Sequence, residues 1–169
     1  MNIRKAVLAD KFTLSALCVD VQHLHAENHP GIFKIPKNTD FAAVFFEDML
    51  ADPQVVVYVA EENGQALGYI LCKLMERAEN PFTYTMRYLL IDQISVRPEA
   101  HRKGVGAALI ERAVTLAAEL ELPHIQLIPG DLTQTPMFFS RNWDLKNSTI
   151  VSGETLNEKA PLRDFLWAR

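Results

Sequence analysis

The chain has 169 residues, 49% of them apolar and 22% charged, and carries a net charge of −4. That length fits one domain of ordinary size, and the composition excludes a disordered or fibrous chain. The negative balance excludes a broad nucleic-acid-binding surface, so any site for a polyanion has to be local.

Two cysteines occur, Cys18 and Cys72. Each lies in an amphipathic or apolar segment, without the paired spacing of a zinc site or a disulfide framework, and both are expected to be buried thiols. The opening MNIRKAVLAD lacks a long apolar core and a small-residue cleavage site. No apolar run reaches the roughly 18 residues of a membrane span, so a cytoplasmic protein with no membrane partner is expected.

In chain order, NIRKAV reads as a short strand, and Asp10 is placed to cap a helix carrying Leu14, Leu17, Val21 and Leu24 at helical spacing. HAENHPGIFKIPKN, with two prolines and a glycine, reads as a loop long enough to carry function. Thr39 or Asp40 then caps a second helix running to Leu50. VVVYVA and ALGYILCKLM flank Asn63-Gly64, the strongest short signal for a β-hairpin.

ERAENPFT is a second loop, and TMRYLLIDQISV a long strand. The turn RPEAHRKGVG follows, then a helix from about Gly104 to Leu120 with Val105, Leu109, Ala113, Leu116 and Leu120 inward. Pro123 ends that helix. HIQLI reads as a short strand, TPMFFSR as a short helix and DLKNSTIVS as a final strand. The sum is an α+β or mixed α/β sheet with helices on both faces.

RPEAHRKGVG places positive charge and bare backbone in one turn, between a strand and a helix. A helix start has backbone N–H groups without intrahelical acceptors, and its dipole adds positive potential, so the place suits a phosphate. Gly104 and Gly106 permit close approach, while Arg102 and Lys103 supply charge. The plainer alternative is a tight strand-to-helix connection with solvated cations. A Walker loop is disfavoured because Lys103 precedes its glycine and no hydroxyl follows. A dinucleotide fingerprint is disfavoured because Leu109 stands where the third glycine belongs.

IDQISVRPEAHRKGVGAALIERA resembles the acetyl-CoA-binding motif of the GNAT superfamily of N-acetyltransferases, and the order of elements resembles that family over nearly the whole chain. The resemblance implies one GNAT-like domain over residues 1–169, with about 154–169 as a C-terminal tail. It implies a mixed, mostly antiparallel sheet of about six to seven strands, with helices on both faces and a splayed strand pair at the CoA site. Acetyl-CoA is the implied co-substrate. Its pantetheine would lie on the backbone of Ile94, Ser95 and Val96, and its pyrophosphate on His101, Arg102, Lys103, Gly104, Val105, Gly106 and Ala107. One departure is that His101 stands where the family has Arg or Gln, with Arg102 beside it.

The implied reaction is transfer of acetyl from acetyl-CoA to a primary amine, small or peptidic, by direct attack. It requires a neutral amine, a polarised carbonyl and a proton for the thiolate. Asp92, a carboxylate in an apolar strand, is the candidate base; the structural alternative is a loop anchor or a pair with Arg87. Family members commonly carry a tyrosine in a Phe-Tyr pair on the short helix after the next strand. Phe138-Phe139 stand there, which leaves Phe139 as a pantetheine contact and the phenol missing. That absence favours an alternative function, a non-catalytic acyl-CoA-binding sensor or regulatory module; a third reading is a toxin-type or protein-modifying acetyltransferase.

For the acceptor, His25 and Glu27 on one side and Tyr84 and Arg87 on the other are candidate contacts, with Tyr88 beside them. His23, His25, Glu27 and His29 resemble a metal cluster in spacing, but Pro30 and the lack of a fixed third ligand speak against zinc, and no metal is expected. A homodimer is the expected assembly, with Phe165, Leu166 and Trp167 of the tail available to pack on a neighbour.

Overall fold

A computed structural model describes residues 1–127 and 137–140. In chain order the elements are β1 (Asn2–Lys5), a 3-10 turn (Leu8–Asp10), α1 (Lys11–Asn28), α2 (Ala43–Ala51), β2 (Val55–Glu62), β3 (Gln65–Arg77) and β4 (Met86–Val96). A second 3-10 turn (Pro98–Ala100) precedes α3 (Val105–Glu119), β5 (His124–Leu127) and β6 (Met137–Ser140). The strands are hydrogen-bonded neighbours in the order β1-β2-β3-β4-β5-β6. β1 is antiparallel to β2, β4 parallel to β5, and β5 antiparallel to β6. This mixed α/β arrangement is the expected fold class. The strand expected near DLKNSTIVS and the C-terminal tail lie outside the described residues.

The chain forms two compact units. The first comprises Met1–Leu71 and Gln93–Leu109, and the second Cys72–Asp92 with the residues from Ile110 onward. In the first, Leu14 and Leu17 of α1, Phe46 of α2, Val57 and Val59 of β2 and Tyr69 and Leu71 of β3 form one buried cluster. The odd-numbered positions of β2 and β3 enter it because successive strand residues face opposite sides. Phe46 meets Tyr69 edge to face, with ring centroids 5.4 Å apart at 88°. In the second unit, Leu89, Ile91, Ala113, Ala117, Ile125 and Leu127 are buried.

The hairpin between β2 and β3 turns at Asn63 (φ 51) and Gly64 (φ 78). Two consecutive positive φ angles are what a two-residue turn needs to match strand twist, and Asn-Gly supplies them with little strain. α3 is rich in Ala, Leu, Glu and Arg, all good helix formers. It stops where Glu121 takes a left-handed φ of 53, so that Leu122 N–H reaches the carbonyl of Ala117 at 2.9 Å and Glu121 N–H that of Ala118 at 3.1 Å. Leu122 is buried by this stop, whereas Leu120 is 38% exposed and not inward as the spacing predicts.

Three other expectations change in the folded chain. Leu24 is 56% exposed, and toward its C-terminal end α1 buries Ala26 instead. Asp10 stands at the start of α1 but makes no side-chain cap. Its carboxylate instead accepts from Arg4 Nη1 at 2.7 Å, Arg4 Nη2 at 2.9 Å and Val7 N–H at 2.7 Å. A bidentate guanidinium outcompetes a lone amide, and Arg4 holds the Asp10 carboxyl below its ordinary range. Neither Thr39 nor Asp40 caps α2, which begins at Ala43; the amide of Ala42 is taken by Ser15 Oγ of α1 at 3.0 Å.

Candidate acyl-donor site

The turn after β4 is built by short-range backbone bonds. Ala100 N–H donates to Arg97 O at 2.9 Å, His101 N–H to Pro98 O at 3.1 Å and Lys103 N–H to Ala100 O at 3.4 Å. Arg102 (φ 60) and Gly104 (φ 83) are both left-handed, which folds the chain tightly into α3. The first amide of α3 to close a helical turn is that of Ala108, onto Gly104 O at 3.0 Å. The amides of Val105, Gly106 and Ala107 precede any intrahelical acceptor. Arg102 and Lys103 are exposed and form no ion pair among the described residues. Free amides, a helix start and two uncommitted cations give the chemistry a diphosphate requires.

A Cβ on Gly104 would meet nothing within 4 Å, so the glycine serves the positive φ rather than relieving a clash. His101 has a different part from the Arg or Gln it replaces. Its Nε2 lies 2.8 Å from the carbonyl oxygen of Val96. A carbonyl only accepts, so Nε2 carries the proton, and the ring braces the turn against the end of β4.

β4 is fixed from below at the residues assigned to pantetheine. Ser95 Oγ is buried and donates to Leu17 O of α1 at 2.7 Å, so its side chain faces the core. Gly68 of β3 lies against the same residue. A Cβ there would stand 2.6 Å from Ser95 O and 3.1 Å from Val96 Cα, so this close approach of two backbones requires glycine. Arg97 extends the clamp, with its amide on Leu67 O at 2.8 Å and its Nε on Ala66 O at 2.9 Å. On the other side, β4 pairs with β5 from Tyr88↔His124 to Ile91↔Leu127.

Two neighbours complete the strand. Asp92 is 20% exposed at its side chain, and its Oδ2 lies 3.0 Å from Lys73 Nζ of β3; this cation, not Arg87, is its partner. Gln93 Oε1 accepts from the fully buried Tyr69 hydroxyl at 2.9 Å. On regular strands Asp92 and Gln93 face opposite sides, yet they bond Lys73 and Tyr69, which are of like parity on β3. Strict alternation is therefore broken between these contacts, as a β-bulge would do. Beneath Asp92, burial and the Asp92 charge push the Cys72 thiol up to about 12, so it stays protonated and inert.

The residues considered for the acceptor fall in two places. In the first unit, His25 stacks on Phe33 with centroids 4.8 Å apart at 24°, and His29 lies 6.3 Å from the same ring. Burial, then the neighbouring His29, hold His25 below its ordinary value. Glu27 is exposed. In the second unit, Tyr84 is 87% exposed and Arg87 is exposed. Thr83 and Phe82 are pinned beside them by Asn80, whose Oδ1 accepts both their amides at 3.1 Å and 2.9 Å. Among the described residues no group of three His, Cys, Asp or Glu side chains is arranged to hold a metal ion, and no helix is long and apolar enough to cross a membrane.

The profile of the acetyltransferase (GNAT) family matches residues 18–137, the greater part of the chain. The chain belongs to that family. Its fold is similar to that of a Bacillus halodurans protein crystallised as a tetramutant, with a TM-score of 0.73 at 19% identity over 79% of this chain and 85% of that one. It is also similar to an acetyltransferase from Vibrio fischeri, with a TM-score of 0.61 at 22% identity over 75% of this chain and 94% of that one. A third likeness is to a predicted acetyltransferase from Clostridium acetobutylicum in complex with acetyl-CoA, with a TM-score of 0.57 at 24% identity over 78% of this chain and 82% of that one. No curated protein matches. Membership makes the chain a GNAT acetyltransferase, of a family that uses acetyl-CoA.

One expectation carried over from the GNAT pattern is overturned. Met137–Ser140 is a strand and not part of a short helix, pairing antiparallel with β5 so that Phe139 stands opposite Ile125. Aromatic-rich MFFS suits a strand added beside β5. Phe139 is accordingly carried on a strand beside β5. Conversely, sequence reasoning missed Gly68, Tyr69, Lys73 and Arg97. A lone glycine and a lone lysine inside the apolar run ALGYILCKLM were the available signals.

Proposed function

We propose that this GNAT member acetylates a primary amine, of a small molecule or a peptide, by direct attack on acetyl-CoA within one domain. The observation that carries the reading is the turn at 101–107, where a left-handed Gly104, the leading amides of α3 and Arg102 and Lys103, which form no ion pair among the described residues, converge. In this reading the amides of residues 104–107 hold the pyrophosphate. Arg102 and Lys103 neutralise it, and the backbone of Ile94, Ser95 and Val96 hydrogen-bonds pantetheine. His101 acts through Val96 rather than on phosphate.

Asp92 is the proposed base. Lys73 holds its Oδ2, and Oδ1 takes the proton from the attacking amine. His25, Glu27, Tyr84 and Arg87 are the proposed acceptor contacts.

Calorimetric titration with acetyl-CoA, with 3′-dephospho-CoA and ATP as controls, tests the turn. Preference for acetyl-CoA over ATP supports the reading, and absence of binding ends it. Thiol release with a panel of small amines and lysine peptides then tests transfer; binding without release for any amine would favour the regulatory alternative.

A further inference from the structure

We infer that Gln93 is a catalytic residue whose carboxamide N–H donates to the thioester carbonyl oxygen of the acyl donor, with Tyr69 as the positioning residue that aims it. The inference rests on the proposed function above and concerns a residue to which that reading gives no role.

The Tyr69 hydroxyl is fully buried and 2.9 Å from Gln93 Oε1. An amide oxygen only accepts, so the single phenolic hydrogen is committed to it. The same hydroxyl also hydrogen-bonds the buried thiol of Cys18 on α1.

With Oε1 fixed in this way, the Gln93 NH₂ group must point away from Tyr69. Gln93 is half-buried, its amide nitrogen has no partner among the described residues, and no buried side-chain nitrogen is left unsatisfied there. The NH₂ therefore faces solvent or a ligand, held in one orientation by the buried Tyr69 hydroxyl.

The direction of the strand supplies the ligand atom. With the pyrophosphate on residues 101–107 and pantetheine on residues 96 to 94, the donor runs backward along β4, so its acyl end arrives at residues 93 and 92. The two neighbours then divide the chemistry. As the amine nitrogen bonds to the carbonyl carbon, the C=O electron pair moves onto oxygen, where the Gln93 N–H meets it. The amine's proton passes to Asp92, and collapse of the adduct re-forms C=O and breaks the C–S bond, releasing the thiolate. A preorganised donor at developing negative charge acts on the transition state more than on the ground state.

The test is a double-mutant cycle with Gln93→Leu and Tyr69→Phe, read as kcat and KM for acetyl-CoA, with calorimetric acetyl-CoA affinity and thermal melting alongside. Gln93→Leu is expected to lower kcat by about 10- to 100-fold, toward the lower end of what loss of one oxyanion donor costs, with acetyl-CoA affinity unchanged. Tyr69→Phe, which keeps the ring and its packing on Phe46, is expected to lower kcat by about 3- to 10-fold, and the double variant to be no slower than Gln93→Leu alone. Equal kcat for Gln93→Leu and the wild type, or additive losses in the double variant, overturns the inference. Gln93→Glu, which retains the acceptor for Tyr69 and loses the donor, must be as slow as Gln93→Leu; full activity in it also overturns the inference. Failure of the wild-type chain to release thiol from acetyl-CoA would instead refute the proposed function, so the two failures are distinguishable.

Discussion

Two connections of the first unit differ in how they are held. The turn from β4 into α3 is fixed by bonds between residues a few positions apart, by two left-handed residues and by the brace of His101 on Val96. The loop from α1 to α2 has short backbone bonds too, such as Phe33 N–H to His29 O at 3.0 Å, but adds side chains reaching across it. Gln22 Nε2 donates to Lys34 O at 2.8 Å, Phe33 stacks on His25, and Ser15 takes the amide of Ala42. Ile32 and Ile35 of this loop remain 64% and 69% exposed. The first connection is a local backbone device suited to a constant ligand. The second can change its side chains without altering its ends, which would suit the proposed acceptor contacts at His25 and Glu27.

The comparison is broken most severely at Gly68. Alanine there places Cβ 2.6 Å from Ser95 O, and the backbones must separate. We expect a loss of about 3 kcal/mol, read as a fall in melting temperature of roughly 6–12 °C, together with weakened acetyl-CoA binding. A melting point within a degree or two of the wild type would show that the clamp under β4 is dispensable.

Gly104→Val is next. Space is open around its Cβ, so the cost is conformational: a β-branched residue at φ 83 forfeits about 2 kcal/mol or shifts the amides. Where the free turn relaxes to escape that strain, binding must restore it, and acetyl-CoA affinity falls by up to roughly 30-fold. Calorimetry showing wild-type affinity would count against the turn as the diphosphate site.

Ser95→Ala removes a buried hydroxyl from Leu17 O and should cost about 1 kcal/mol in denaturant unfolding. It should leave acetyl-CoA affinity nearly unchanged, because the proposed contacts there are backbone; a tenfold loss of affinity would mean that the side chain itself matters.

The smallest effect belongs to the α1–α2 loop. His25 is held below its ordinary value of 6.5, so the opened loop takes up a proton before the closed one does. The resulting stability is complete above about that pH and declines as the pH falls toward the depressed value. Amide exchange of residues 29–42 should therefore report easier opening at pH 5.5 than at pH 7.5, after correction for intrinsic rates. His25→Gln should flatten the difference, and an equally large pH effect in that variant would assign it elsewhere.

Elements with strong local signals were legible in the sequence. The Asn63-Gly64 hairpin, the strand-turn-helix of residues 86–119 and the GNAT order of elements follow from hydrophobic period, positive-φ requirements and capping, all of which act within a few residues. Segments short enough to serve as either helix or strand were not. TPMFFSR reads as helix by its place in the family pattern, but Met137–Ser140 is a strand because β5 offers it a hydrogen-bonding edge. Leu24 and Leu120 fit a helical stripe but are exposed, while Ala26 and Leu122 two positions on are buried.

By itself the sequence determined the family and the strand-turn-helix that carries its motif, because each is encoded in consecutive residues acting through the backbone. Tertiary structure alone decided which side chains meet: Lys73 on Asp92, Tyr69 on Gln93, Ser95 on Leu17 and Gly68 against the backbone of Ser95. These pairs lie 19 to 78 positions apart in the chain. Their contacts depend on strand register and on a break in alternation, which no local propensity specifies.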